Sequence, residues 1–239
     1  MSILNKIKKS LWKYNLNIDR FSITKNYLYR RQKILKHFNI DLVIDVGANV
    51  GQYALELRDL NYKGNIVSFE PLQEEFKILE KKASRDSMWK TFNYALGSSN
   101  GIEKINISEN SYSSSILELL PDHIENAPKS KFKDTQTIQI KTLDSVFENI
   151  ISSKNSVYLK IDTQGYEKEV LNGAIDSLKK INCIQLEMSL TPLYSQESSF
   201  EDLIKLLAHH NFKLAGFESG FANNKTGELL QLDGIFIKK

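Results

Sequence analysis

Asp45 and Glu70 stand 25 residues apart, one strand–helix–strand step, and each closes a short apolar run. The first run ends in Asp45-Val-Gly-Ala-Asn-Val-Gly51. Gly47 lets the backbone turn tightly against a ligand. Gly51 starts a helix whose free N–H groups face the same crevice. Open α/β sheets bind nucleotides there, at the carboxyl ends of their strands. The glycine spacing fits neither a dinucleotide fingerprint nor a phosphate loop, which argues against a nicotinamide oxidoreductase. An acid ahead of the first glycine disfavours a diphosphate and favours a cationic group, so Asp45 is placed for the ammonium of an amino-acid moiety. Glu70, followed by Pro71, is placed to accept both hydroxyls of a ribose. A nucleoside carrying a charged amino acid satisfies both acids, and S-adenosylmethionine is such a molecule. Each acid alone is equally a strand-end helix cap.

Methyl transfer from a sulfonium requires alignment of the acceptor oxygen and a group to take its proton. Asp162, at the end of the apolar strand Val157–Ile161, is the candidate reaction centre, with a helix N-cap as its structural alternative. Lys160, inside that strand, must pair, with Glu187 or Glu167 as expected partners. Glu187 ends the next strand and joins Asp162 as a second rim carboxylate. Two acids could share a proton or hold a divalent ion, but no third ligand or histidine spacing supports a metal, and none is assigned. His123 lies in a polar stretch and is the candidate base or acceptor contact, against a solvated loop role. His37, His209 and His210 read as structural or solvated. Ser113, Ser114 and Ser115 suit a polyhydroxylated acceptor or simple turn chemistry. Tyr112, Tyr166, Tyr194, Phe217 and Phe221 fall near the mouth, where each is a packing residue first and a stacking platform second.

The elements that must position these residues alternate. Strands over 42–46, 65–69 and 91–95 are separated by helices over 53–60 and 72–84, with Pro71 at the opening of the second. The alternation pauses at 102–107 and 137–141, two strands that can pair antiparallel. It resumes with a helix over 142–149, the strand 157–161, a helix from Tyr166 interrupted near Gly173, and a strand over 183–187. A helix over 200–209 and two hairpin-joined strands, 212–217 and 234–237, finish the chain. The expected fold is α/β: a doubly wound, about seven-stranded, mostly parallel sheet with an antiparallel last strand, an insertion after the third strand and a helical arm. Residues 108–136 are the candidate acceptor-binding insertion.

Of 239 residues, 41% are hydrophobic and 26% charged, which excludes disorder and leaves room for a full core. The lone Cys183 excludes a disulfide framework and favours a reducing, cytoplasmic setting. No signal peptide or membrane span is expected. Charge is uneven. Residues 1–40 hold ten Lys/Arg against Asp19, so this arm is +9 and the remainder −6. Two basic amphipathic helices packing on one domain, 41–239, account for it. Peripheral contact with the inner face of a membrane is the alternative.

The stretches Asp45–Tyr53, Ile66–Leu72, Asn93–Gly97, Asn110–Ser115, Thr142–Asp144, Leu159–Glu167, Leu186–Leu190 and Asp233–Phe236 together resemble the FkbM family of S-adenosylmethionine-dependent methyltransferases, in family order across 41–239. Asp45–Gly51 looks like motif I of class I enzymes. The block Lys160-Ile-Asp-Thr-Gln-Gly-Tyr-Glu167 is the more specific match. The resemblance implies O-methylation of a sugar, glycan or related natural product. It places Asp45, Gly47, Ala48, Asn49 and Gly51 around the methionine part of the cofactor, Glu70 and Pro71 at the ribose, Ala95 and Leu96 near the adenine, and a histidine where His123 stands. Asp162-Thr-Gln-Gly165 replaces the Asn/Asp-Pro-Pro-Tyr block of amino-methylating enzymes and argues against base nitrogens as acceptors. The remaining readings are RNA methylation, which the acidic body disfavours, and a non-catalytic S-adenosylmethionine-binding protein.

Overall fold

The computed structural model describes residues 3–18, 22–151 and 155–239. Helices α1 (Ile3–Leu11) and α2 (Tyr27–His37) precede β1 (Leu42–Val46). Then come α3 (Gln52–Asp59), β2 (Asn65–Phe69), α4 (Gln73–Ala83), β3 (Trp89–Phe92), β4 (Ala95–Leu96) and β5 (Gly101–Ser108). A short α5 (Pro121–Asn126) leads to β6 (Phe132–Lys141), α6 (Leu143–Ile150), β7 (Val157–Ile161) and α7 (Glu167–Asn172). The chain closes with β8 (Ile181–Ser189), α8 (Phe200–His209), β9 (Phe212–Ser219) and β10 (Gln231–Lys238).

Seven strands form one sheet in the order β3-β2-β1-β7-β8-β10-β9. All neighbours are parallel except β10, which runs antiparallel to both β8 and β9. The central strands β1 and β7 are buried along their whole length. That is the near-continuous apolar signature of a parallel sheet covered on both faces. One face packs Leu35, Ala54, Leu57 and Leu79 from α2, α3 and α4 onto Val43, Ile66 and Tyr158. The other packs Val146, Val170, Leu203 and Leu207 from α6, α7 and α8 onto Ile44, Leu159 and Ile184. Helix α8 follows from its sequence. Ser199 caps it by accepting from the Asp202 amide, acids fill its first turn, and Leu203 and Leu207 recur on one face.

Three expectations need correction. The third strand ends at Phe92, and Ala95 and Leu96 pair instead with β6 in a second sheet ordered β4-β6-β5. Pro71 is not at the first helical position, because Leu72 is the N-cap of α4. Glu187 lies within β8, which continues to Ser189 and is extended there by pairing with β10. The second helix of the basic arm packs on the sheet, as the amphipathic reading expects. In α2, Leu35 packs in the core and Arg31 is only 2% exposed.

Candidate functional site

The crevice opens where β1, β2 and β7 end. It is a cavity of about 240 Å³ whose walls include Gly47, Asn49, Phe69, Glu70, Pro71, Ala95, Leu96, Asp162 and Glu187. The turn after β1 is tight by necessity. Gly47 has φ +75°, and a β-carbon there would stand 1.8 Å from the Asp162 carbonyl oxygen. The Asp162 amide in turn donates to Val46 O at 3.1 Å, so the ends of β1 and β7 are drawn together over the crevice floor.

Glu70 is buried in the wall, and each carboxylate oxygen takes one backbone amide: Oε2 from Asn49 at 2.7 Å, Oε1 from Leu72 at 2.8 Å. Burial pushes its pKa up to about 7 against the lowering effect of those two amides. Each oxygen retains lone-pair capacity for a further donor. Asn49, at φ +47°, turns its amide nitrogen toward Ser111 Oγ and O at 3.3 and 3.4 Å. The insertion is thereby tied to the turn after β1, and it brings Tyr112 and Ser114 to the cavity wall.

Asp162 and Glu187 come together as expected, and the residue that joins them was not singled out in the sequence. The Gln164 amide nitrogen donates to Asp162 Oδ1 at 2.8 Å and to Glu187 Oε2 at 2.7 Å. Burial first, and then the charges of Asp162, Glu167 and Asp233, pushes the Glu187 pKa well above the ordinary carboxyl range. Gln164 is a non-glycine residue at φ +57°. Nothing in its type announced a site, but its place in the Asp-x-x-Gly turn could have.

Asp45 does not face the cavity. It is fully buried, with Oδ2 accepting from Ser68 at 3.2 Å and Oδ1 3.3 Å from Lys160 Nζ. Lys160 also lies 3.3 Å from Asp162 Oδ2, so its partners are Asp45 and Asp162 rather than Glu187 or Glu167. Register explains the correction: Ser68, Asp45, Lys160 and Gln185 lie side by side across β2, β1, β7 and β8. Glu167 is occupied by the amides of Thr163 and Gly165. Burial opposes the Lys160 charge, but Asp162 and Asp45 hold it well above the usual lysine range. Lys160 is therefore a fixed cation behind Asp162. Ala48 and Gly51 shape the turn from behind, and neither they nor Lys160 line the cavity.

His123 is also corrected. It is 3% exposed, packed edge-on against Tyr194 with centroids 5.0 Å apart, 3.2 Å from Ser130 Oγ, and absent from the cavity wall. Burial pushes its pKa down to about 4. It is neither solvated nor within the site. Ser113 and Ser115 are spent internally on Ser130 and on the Gln164 carbonyl. Among the described residues no cluster of three metal-ligating side chains occurs.

Among the described residues the crevice wall carries the carboxyl groups of Glu70, Asp162 and Glu187 and no lysine or arginine, which suits a cationic ligand better than a polyphosphate. Its other wall, Phe69, Leu72, Ala95, Leu96 and Ile105, is apolar and takes a flat ring. The residues therefore fit S-adenosylmethionine, with Glu70 for its ribose diol and the acids near its charged end.

Residues 45–214 match the family model described as the methyltransferase FkbM domain. Hexuronic acid methyltransferase AglP of Haloferax volcanii is 27% identical over 180 residues, 72% of this chain and 69% of that protein. Among solved structures, the FkbM methyltransferase of Methylobacillus flagellatus superposes with a TM-score of 0.47 at 14% identity, over 82% of this chain and 44% of that one. This chain thus spans less than half of that protein. The magnesium protoporphyrin IX methyltransferase of Synechocystis, solved with bound SAM, gives 0.47 at 9% identity over 100% and 98% of the two chains.

Proposed function

The chain belongs to the FkbM methyltransferase family, and on that premise we propose that it moves a methyl group from S-adenosylmethionine to a hydroxyl of a sugar. The observation that carries the reading is Glu70, whose two oxygens are each fixed by a backbone amide at the wall of the crevice. A ribose diol meets two oriented acceptors there, and Phe69, Leu72 and Leu96 cover the adjoining ring.

When bound, S-adenosylmethionine supplies a methyl already activated on a positively charged sulfur. Asp162, at the cavity wall, is the carboxylate that would favour that charge in the crevice. Asp162, with its side chain 36% exposed, is the acid that reaches both the cavity and solvent. It takes the proton of the acceptor hydroxyl as the oxygen–methyl bond forms. Lys160 behind it and Gln164 beside it fix the carboxylate, so that orientation is set before the acceptor arrives. Tyr112, Tyr166 and Ser114 offer a stacking face and a hydroxyl to a sugar. The relative named as a hexuronic acid methyltransferase supports a sugar acceptor.

The test is calorimetric titration with S-adenosylhomocysteine, followed by a screen of neutral hexoses and hexuronic acids with labelled S-adenosylmethionine. Binding that is lost in Glu70→Ala and retained in Asp162→Ala, with label on a sugar hydroxyl lost in Asp162→Ala, supports the reading. Label on RNA, or binding without turnover on any sugar, overturns the acceptor assignment.

A further inference from the structure

The Lys160 ammonium is surrounded by oxygen atoms but seated tightly on none of them. It lies 3.3 Å from Asp45 Oδ1, 3.3 Å from Asp162 Oδ2 and 3.4 Å from the Gly47 carbonyl oxygen. A charge-assisted hydrogen bond is shorter, about 2.7–2.9 Å, so no one of the three fixes the cation by itself. The two acids are unequal competitors for it. Asp45 is fully buried, and its Oδ1 has no hydrogen bond to any other group among the described residues. The Asp162 side chain is 36% exposed and has a second donor in Gln164. Left to the acids alone, the ammonium gains more at Asp45, because an unpaired charge costs most where water is excluded. A further contact is needed to keep it between them.

That contact is an aromatic face. Tyr53 is the second residue of α3, and its neighbours Ala54 and Leu57 bury the same side of the helix against the sheet. The centroid of its ring lies 5.3 Å from Lys160 Nζ, within the range at which a ring face attracts a cation. The ring is anchored at its far end. Its hydroxyl donates to Gln185 Oε1 at 2.7 Å, and Gln185 Nε2 donates to Asp233 at 2.6 Å. Tyr53 is not part of the crevice wall, so whatever it does for the site it does through Lys160.

We propose that Tyr53 is a positioning residue for methyl transfer: its ring holds the Lys160 ammonium between Asp45 and Asp162 and so keeps a cation beside the acid that receives the acceptor's proton. The inference rests on the reading of Asp162 as that acid. Without the ring face the ammonium settles on Asp45, and Asp162 keeps Gln164 but loses its cation. Nothing near replaces it. The other charged groups around the pair are Glu167 of α7, Glu187 of β8 and Asp233 of β10, all acids, and Arg31 is spent on Glu218 and Glu56.

The test is an NMR titration of the full chain carrying isotope-labelled aspartate carboxyl groups, with Asp162→Asn assigning the signal. Tyr53→Phe keeps the ring, and Tyr53→Leu removes it. A trifluorinated phenylalanine at the same position keeps the shape and cancels the attraction, which covers the case of a leucine variant that does not fold. The Asp162 carboxyl is expected to titrate roughly half to one pH unit higher in the leucine and fluorinated chains than in the intact one, and to stay nearly unmoved in Tyr53→Phe. With labelled S-adenosylmethionine and an accepting sugar, kcat falls about threefold to tenfold in the same two chains, while the KM for S-adenosylmethionine changes less than about twofold. An Asp162 titration unmoved in both overturns the proposal. So does a shift as large in Tyr53→Phe as in the fluorinated chain, which would assign the effect to the hydroxyl and Gln185. Full turnover by Asp162→Ala would instead overturn the reading of Asp162 as the base, and with it the catalytic consequence, whatever the titration shows of Lys160.

Discussion

The Tyr194 hydroxyl donates to the side-chain carbonyl of Gln164 at 2.7 Å, and this single bond decides which end of the Gln164 amide meets the two acids of the crevice. With Oε1 occupied, Nε2 is turned to Asp162 and Glu187 together. Tyr194 is itself immobile, fully buried and braced by the edge of the His123 ring. His123 thus acts at one remove, through packing, on a site it does not touch. Gln164 holds its left-handed backbone because Ser115 Oγ donates to its carbonyl at 2.7 Å. Strain of this kind persists only where its surroundings over-determine it.

The first prediction follows from that chain of contacts. Gln164→Ala removes two hydrogen bonds to carboxyl groups, so kcat falls on the order of a hundredfold while the KM for S-adenosylmethionine moves by less. Tyr194→Phe leaves the amide in place but free to flip, and kcat falls about tenfold. Gln164→Glu adds a third acid and shifts the pH profile of kcat toward higher pH. Steady-state kinetics across pH separates these outcomes from a general loss of fold, which would lower kcat equally at every pH.

The parallel core was legible because its strands are apolar runs punctuated by Gly47, Gly64 and Pro71, and that pattern has few solutions. The Glu70 position was legible for the same reason, being the residue at which a buried strand stops. Lys160 was misassigned because alternation gives the face of a side chain but not the register of its neighbour. Only pairing β1 with β7 puts Asp45 beside it. Arg31 was hidden in a basic helix, where nothing local distinguishes one buried arginine from its solvated neighbours. Its partner Glu218 lies 187 residues away. Gln164 escaped because an amide carries no intrinsic chemistry, and its importance lies wholly in what it holds.

The proposed ribose role of Glu70 makes affinity for S-adenosylhomocysteine depend on the ionisation of that residue. In that role the carboxylate would accept two ribose hydroxyls only when ionised, and burial raises its pKa to about 7. Protonation competes with binding below that value, so the Kd for S-adenosylhomocysteine rises about tenfold per pH unit as pH falls below 7. Glu70→Gln binds weakly throughout and loses this dependence. Calorimetry at several pH values checks both statements, and a flat profile for the intact chain would remove Glu70 from the ribose.

Asp233 offers a stability test away from the reacting groups. Burial, then the charge of Asp162, pushes its pKa up to about 6 from an ordinary 3.8, against the hydrogen bond from Gln185 at 2.6 Å. A folded-state pKa above the unfolded one gives a contribution that is fully present below about pH 4 and lost as pH rises through about 6. Asp233→Asn keeps the acceptor for Gln185 and removes the charge. It stabilises the fold at pH 8 by on the order of 1–3 kcal/mol and leaves it unchanged at pH 4. Urea unfolding at the two pH values reads the difference directly.

The last prediction separates the two halves of the basic arm. Arg31 donates through Nε and Nη2 to both oxygens of Glu218, at 3.0 and 2.6 Å, and through Nη1 to Glu56 at 2.6 Å. Its guanidinium stacks 4.7 Å from the centroid of Tyr53, and Arg31 and Glu218 are both buried. Removing one partner of such a pair strands the other charge, so Arg31→Met destabilises the fold by about 3–5 kcal/mol. Joint replacement, Arg31→Met with Glu218→Leu, removes both charges and recovers most of that loss, because the pair's own desolvation cost disappears with it. The same logic fixes the effect of truncation. Deleting residues 1–25 leaves the Asn26 cap of α2, Arg31 and Leu35 in place and changes the unfolding free energy by less than about 1 kcal/mol. Deleting residues 1–38 removes Leu35, Ile34 and Phe38 from the core cluster they share with Val43, Leu57 and Tyr158 and strands Glu218, so that chain does not fold to the same cooperative transition. Equilibrium unfolding of the four variants distinguishes an arm that merely decorates the domain from one whose second helix completes it.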